Sequence, residues 1–181
     1  MKLTLDELNR VAACPECKAP LVLEWGVTAE CSSCGARYAW MDGTWDFTPS
    51  DWQPEGEWKT WETLQANGLV SYTMDPNNNL SMDERPAIAA FGRFCDFRGL
   101  VLDVGCGPQA WPAYFTDYAE GTRFVGIDPL IENGQARYTQ LRGLGEHLPF
   151  HAGSFDRIIF ATSLDHFVDP APVLLEAART L

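Results

Sequence analysis

The chain has 181 residues and a formal charge of −12, from 25 acids against 13 bases. Apolar residues make up 46%, enough for a sizeable core, whereas a primarily electrostatic grip on nucleic acid needs clustered Lys and Arg that this balance does not offer. No apolar run approaches the ~18 residues of a membrane span. The N-terminal Met1-Lys2-Leu3-Thr4-Leu5-Asp6-Glu7 has no signal-peptide core, so a cytoplasmic protein is expected.

The first unit covers residues 1–49. Thr4 followed by Glu7 predicts a capping box on a short helix that starts at Leu5. Next come Cys14-Pro15-Glu16-Cys17 and, thirteen residues later, Cys31-Ser32-Ser33-Cys34. Two such knuckles bring four thiolates to the corners of a tetrahedron, which is what zinc takes in a closed structural site. A redox dithiol pair and two disulfides are the alternatives, both less suited to a reducing compartment. Residues 21–25 and 27–30 read as a hairpin between the knuckles, and residues 37–40 as a third strand. The unit holds four bases and seven acids, so it reads as a metal-stapled mini-domain rather than an RNA grip.

Residues 50–85 form an acidic and polar connecting segment with Pro54, Pro76 and Asn77-Asn78-Asn79. Residues 57–65 read as a short helix with Trp58, Trp61 and Leu64 on one face. Trp52, Trp58, Trp61 and Tyr72 either form a lid over an apolar substrate or pack the first unit onto the rest of the chain. Residues 75–83 read as a loop.

The third unit is residues 86–181. Pro86 opens a helix to about Phe97, with Ile88, Phe91 and Cys95 on one face. Residues 100–104 are a short apolar run suited to a buried strand. It breaks at Gly105-Cys106-Gly107, with Ala110 three residues further on, the pattern of a nucleotide-binding strand-to-helix turn. Gly107 has no Cβ to hold a ligand off the backbone. Asp103 would repel a pyrophosphate, and Pro108 removes an N–H that a phosphate would use. The turn therefore suits adenosine carrying a positive group, a description that S-adenosylmethionine fits. A helix is expected from about Trp111 to Gly121. Residues 123–127 form the next strand, ending in Asp128, 21 positions after Gly107, where a ribose diol needs an acceptor. Residues 138–141 are a weak third strand and residues 157–161 a fourth, apolar as expected between two covered faces. Asp165-His166 follow it in a loop. A histidine near its ordinary pKa of about 6.5 either takes a proton from a nucleophile there or braces the loop. After Pro170 a helix carries Val173, Leu174, Ala177 and Ala178.

Four motifs occur in a fixed order: Leu102-Asp103-Val104-Gly105-Cys106-Gly107-Pro108; Asp128; Gly145-Glu146-His147-Leu148-Pro149-Phe150 followed by Gly153-Ser154-Phe155-Asp156; and Asp165-His166 before the last helix. Over residues 86–181 the chain resembles the Rossmann-like S-adenosylmethionine-dependent methyltransferases. Residues 1–49, with the closing turn Asp42-Gly43-Thr44-Trp45-Asp46-Phe47, resemble the zinc ribbons that precede some bacterial members. The resemblance implies an α/β fold: a parallel sheet ordered 3-2-1-4 behind a small β-rich zinc ribbon. It implies S-adenosylmethionine as cofactor, with Asp103, Gly105 and Gly107 at its methionine end, Asp128 and Pro129 at the ribose, and Gly145 and Glu146 at the adenine. Ser163 would offer backbone to the ammonium, and Asp165 and His166 are the candidate catalytic pair. Leu144 stands where the family commonly has an acid, so Glu146 or a backbone carbonyl would take the adenine amino group.

The methyl acceptor implied is a small molecule with an O or N nucleophile, with structural zinc at Cys14, Cys17, Cys31 and Cys34. Related enzymes continue into three more strands. A truncated form is therefore expected, or else a partner or second copy over the open edge of strand four. Two other readings stand beside this one. A zinc-ribbon interaction protein could carry an incomplete, non-catalytic cofactor fold. A ribosomal RNA methyltransferase ranks third because of the −12 charge.

Overall fold

The computed structural model describes residues 2–50, 52, 63, 66, 67, 70, 74 and 86–181. The expected helix of residues 57–65, and the roles of Trp58, Trp61 and Tyr72, lie outside them. Among the described residues no helix is long and apolar enough to cross a membrane.

The chain opens with α1 (Leu5–Val11), capped as its sequence dictates: the Thr4 hydroxyl accepts from the Glu7 N–H, and the Glu7 carboxylate accepts from the Thr4 N–H. Two short hairpins follow. Strand β1 (Ala29–Glu30) pairs antiparallel with β2 (Arg37–Tyr38), and β3 (Trp40–Met41) with β4 (Thr44–Trp45). The second hairpin turns on Asp42 and Gly43, both at positive φ (47° and 91°), as a two-residue Asp-Gly turn requires.

The hairpin expected from residues 21–25 and 27–30 does not form. β1 pairs across the second knuckle instead. The reason is Asn9 on α1: its side chain donates to the Leu23 carbonyl (3.1 Å) and accepts from the Leu23 N–H (2.7 Å). That occupies the main-chain groups a strand partner would need. Leu21 and Leu23 still turn inward and Val22 outward, the alternation of an extended segment. The expected third strand, residues 37–40, is split between β2 and β3.

The larger part begins with α2 (Pro86–Cys95) and continues through β5 (Leu100–Val104), β6 (Arg123–Ile127), β7 (Thr139–Leu141), β8 (Arg157–Ile159) and α3 (Pro170–Thr180). The four strands form one parallel sheet in the order β7-β6-β5-β8, the 3-2-1-4 order expected. Alternation sorts their side chains onto two faces. Leu102, Val104, Val125 and Ile127 join a core that also holds Leu8, Val11, Leu21, Trp45 and Phe47 from the Cys-rich part and Val173 from α3. Val101 and Phe124 face a second, aromatic core of Phe97, Tyr114, Phe115 and Tyr138, against which Ile88, Phe91 and Cys95 of α2 pack as expected. On α3, which forms as expected, Val173 and Ala177 are buried and Leu174 is 46% exposed.

The helix expected between about residues 111 and 121 is absent. The chain runs there through turns: Phe115 N–H donates to Pro112 O, Thr116 N–H to Tyr114 O, and Asp117 sits at φ 54°. Pro112 has no N–H to continue a helical ladder. Burial of neighbouring Tyr114 and Phe115, with Trp111 edge-on to Phe115, Phe124 and Tyr138, holds the turns against the sheet. Trp111 thus belongs to the aromatic core.

The Cys-rich part is continuous with the sheet. Phe47 N–H donates to Arg142 O and Arg142 N–H to Trp45 O, so the chain after β4 runs parallel to the end of β7 and closes that edge. Leu3 N–H donates to Thr139 Oγ1 (2.7 Å). On the other side, Ala13 N–H donates to Pro149 O and His151 N–H to Val11 O.

The Asn9 bridge has a measurable stake. Asn9→Ala leaves both main-chain groups of Leu23 without their partner and should cost about 1–3 kcal/mol. Urea unfolding of the variant checks this, and a midpoint equal to that of the parent would remove Asn9 as the reason the hairpin is lost.

Candidate functional site

The glycine turn leaves β5 at the carboxyl end of the sheet, where open α/β sheets hold ligands. Gly105 (φ 77°) and Gly107 (φ 65°) both lie in the left-handed region that a side chain disfavours. A Cβ on Gly105 would collide with the side chain of Ser163. Gly105 N–H donates to Ile127 O (2.9 Å) and so ties the turn to β6.

Two buried carboxylates flank it. Asp103 lies on the aromatic face of β5 and is wholly buried. Its Oδ2 accepts from the Tyr114 hydroxyl (2.6 Å), and its Oδ1 has no partner. Burial pushes its carboxyl up, and the charge of Asp128 adds to that. The Tyr114 hydrogen bond opposes both, and the carboxyl settles at about 7. Asp128, 7% exposed, accepts from Gly107 N–H (2.9 Å) with Oδ2 and from Leu130 N–H (2.8 Å) with Oδ1. Burial raises its carboxyl too, against those two N–H groups and the charge of His166. An ionised carboxylate has about four acceptor positions, so Asp128 retains capacity for a further donor. Among the described residues no Lys or Arg is in the set of groups acting on either carboxylate.

The remaining expected residues gather around this turn to differing degrees. Ser163 is buried; its hydroxyl donates to Val104 O (2.6 Å), and its carbonyl accepts from His166 N–H in the 3₁₀ turn Leu164–His166. Asp165 and His166 lie exposed on that turn. His166 is near enough to Asp128 to favour its ionised form. Pro129 is half-buried after Asp128. Gly145 is buried in the 3₁₀ turn Gly145–His147, where a Cβ would press on Phe167, Val173 and Val104 at 3.0–3.1 Å. Glu146 Oε1 is buried without a partner, and burial raises its carboxyl. Sequence reasoning missed Tyr114 and Gln140. Tyr114 was assigned to a helix that does not form. Gln140 is a buried amide on β7, and a polar residue inside an otherwise covered strand was its only visible signal.

The four expected thiols converge: Cys14, Cys17, Cys31 and Cys34 place all their Sγ atoms within 4.8 Å of one another, with Cys14–Cys34 and Cys17–Cys31 at 3.6 Å. Thiolates about 2.3 Å from a tetrahedral ion stand about 3.8 Å apart, so the donor set fits such an ion. The two knuckles repeat one geometry. Cys14 N–H donates to Ala19 O and Lys18 N–H to Cys14 O; Cys31 N–H donates to Ala36 O and Gly35 N–H to Cys31 O, all at 2.8 Å. Lys18 (φ 62°) and Gly35 (φ 79°) occupy matching positive-φ positions. Burial raises the Cys31 thiol, but the N–H groups of Cys34 and Ser33 outweigh it and bring it down to about 7, toward the thiolate a metal needs.

Residues 102–181 match the family model described as a methyltransferase domain. Residues 102–181 are thus similar to a methyltransferase domain. Among solved structures it is similar to the YcgJ protein from Bacillus subtilis, with 26% identity and a TM-score of 0.44. The match covers 52% of this chain and 45% of that one, so the chain spans less than half the length of that structure. No curated protein matches the sequence. Within the matched residues lie the glycine turn, both buried carboxylates and the two 3₁₀ turns. The thiol cluster falls outside them. S-adenosylmethionine is the cofactor such a domain implies, and the residues present suit its charge: an acceptor on Asp103 without a partner among the described residues, and a second carboxylate, Asp128.

The carboxyl of Asp103 rises from its ordinary 3.8 to about 7 on folding. Between those values the folded chain holds a proton that the unfolded chain has lost, so stability falls as pH climbs from about 4 to about 7. Asp103→Asn should flatten that part of the profile, measured by denaturant unfolding across the range. An unchanged slope would show that Asp103 is ordinary in its titration.

Proposed function

We propose that the chain binds S-adenosylmethionine in the crevice at the carboxyl ends of β5, β6 and β8 and directs methyl transfer to an O or N nucleophile of a small molecule. One observation carries the reading. Two buried carboxylates, Asp103 and Asp128, flank the glycine turn, and among the described residues the one cationic group acting on either is His166, so the site favours a positively charged ligand. When bound, the cofactor supplies an electrophilic methyl group on a cationic sulphur. The chain's own residues would do the rest by holding and orienting. Asp103 and the backbone at Gly105 would face the methionine end, Asp128 the ribose diol, and the turn at Gly145 and Glu146 the adenine. Rate would come chiefly from placing the two reactants together. His166, exposed and with a charge that acts on Asp128, would accept a proton from the acceptor, with Asp165 next to it. The formal charge of −12 supports a small-molecule acceptor over RNA.

We further propose that the four thiolates hold one structural zinc, because an all-sulfur tetrahedral set around a closed site is what that ion takes. Metal analysis should return about one zinc per chain, and Cys17→Ser should lower it. Metal-free protein with full thermal stability would remove the structural role.

The cofactor reading is tested by calorimetry with S-adenosylhomocysteine, whose ammonium group faces the same acids. Because a bound cation favours the ionised form of Asp103, affinity should rise as pH rises through about 7, with proton release seen as buffer-dependent heat. Asp128→Ala should weaken binding at least tenfold. No heat at any pH, or an Asp128→Ala variant that binds like the parent, would overturn the assignment.

A further inference from the structure

The carbonyls of Gly107 and Gln109, ahead of the turns at residues 111–118, have no helical partners. In a helix starting at the glycine turn, Gly107 O and Gln109 O would accept from N–H groups four residues on. Here the chain turns away, and both carbonyls point toward β7. They are met by a single side chain. Gln140 Nε2 donates to Gln109 O (3.0 Å) and Gly107 O (3.2 Å), and lies 2.9 Å from the Tyr138 hydroxyl. Two carbonyl partners fix which end of the amide faces the turn, since only its nitrogen can donate. Gln140 is 7% exposed and its bond to Gly107 O is buried, so water is no ready substitute there, whereas the bond to Gln109 O is partly buried. A Cβ on Gly126, beneath the same place, would meet Cys106 and Tyr138, which leaves no room for the turn to sink.

Gln140 is in turn held from outside the methyltransferase domain. The Thr44 hydroxyl, on β4 of the Cys-rich part, donates to the main-chain carbonyl of Gln140 at 2.7 Å and so anchors the backbone from which the amide projects; Thr44 is 3% exposed. The hairpin that presents Thr44 is pinned to the same edge by Gly134 N–H donating to Asp42 O and by Phe47 N–H donating to Arg142 O. A continuous chain of bonds therefore runs from the Cys-rich part through Thr44 and Gln140 to the backbone of the glycine turn.

We propose that Gln140 is a positioning residue for the cofactor turn and that the Cys-rich part, through Thr44, sets it in place. The inference rests on the cofactor reading given above. Gln140 touches no reacting atom; it fixes the carbonyls of Gly107 and Gln109, and so the path of the backbone that faces the cofactor. The Cys-rich part is then a component of the cofactor crevice, which it reaches over the sheet edge rather than through a binding surface of its own.

The test uses the full metal-loaded chain, S-adenosylhomocysteine as probe, and amide hydrogen exchange without ligand. Gln140→Met keeps length and removes the donor. It should weaken binding tenfold or more and speed exchange across residues 105–110, while protection of β5 and β6 stays as in the parent. Thr44→Val should weaken binding about threefold, and Thr44→Ser, which keeps the hydroxyl, should restore it. A general loss of packing would lower protection throughout and would not be rescued by the hydroxyl alone. If Gln140→Met does not fold, the Thr44 pair decides: equal affinity for Val and Ser overturns the proposal. Parent-like affinity of Gln140→Met overturns it as well. If the parent itself binds no S-adenosylhomocysteine, it is the cofactor reading that fails. Exchange at residues 105–110 then judges Gln140 alone, and unchanged rates would overturn its role.

Discussion

The structure depends on main-chain pairing between the Cys-rich part and the sheet. A parallel sheet of four short strands has an exposed edge at β7, and an exposed edge is a row of unmet donors and acceptors. Residues 45–47 meet those of Arg142, and Leu3 N–H reaches the hydroxyl of Thr139. On the sheet face, Leu8, Val11, Trp45 and Phe47 share one core with Leu102, Val125, Ile127 and Phe150. The first 49 residues are too few to bury a core unaided. They complete theirs against the β-strands they cover, and those strands gain a lid of apolar side chains in return.

A second junction lies at the loop before β8. Lys18, one residue past the first knuckle, pairs with Glu176 of α3 at 2.6 Å, and its ammonium lies 3.3 Å from Leu148 O. Arg179 joins the group, holding Glu176 at 2.7 Å and donating to Phe150 O at 2.7 Å. Burial lowers the Lys18 ammonium and raises the Glu176 carboxyl, but hydrogen bonding leaves the carboxyl below its usual range. The knuckle, the last helix and the loop of Gly145 to Phe150 are thereby fastened at one place. For half-exposed groups such a pair contributes modestly. Its significance is the fixed geometry of a loop that has no regular strand of its own.

Much of this was legible in the residues. The capping box, the two knuckles and the glycine turn follow from local spacing, and each depends on neighbours close in sequence; the order of the four strands was what the family resemblance implied. What was not legible depends on distant partners. The hairpin after the first knuckle is lost to Asn9, fourteen positions from Leu23, because an amide side chain competes for main-chain groups. The helix after the glycines is lost although Trp111, Tyr114, Phe115 and Tyr118 have helical spacing. The buried aromatic core holds turns there instead. Asp103 and Asp128 stand where the motif puts them, but their partners, the Tyr114 hydroxyl and the Gly107 N–H, required the fold. Gln140 had no motif to mark it.

The matched knuckles carry a consequence for ion capture. Each loop closes on itself through its own pair of 2.8 Å bonds and its own positive-φ residue, so the shape of each pair of sulfurs rests on main-chain bonds that do not involve an ion. What capture must still fix is the approach of one loop toward the other, and the shared core with the sheet already restricts it. The entropy lost on loading is then small beside that of a free zinc-ribbon peptide, which must order its whole backbone at the same step. A preassembled claw of this kind would hold its ion tightly and release it slowly, because letting go returns little disorder to the chain.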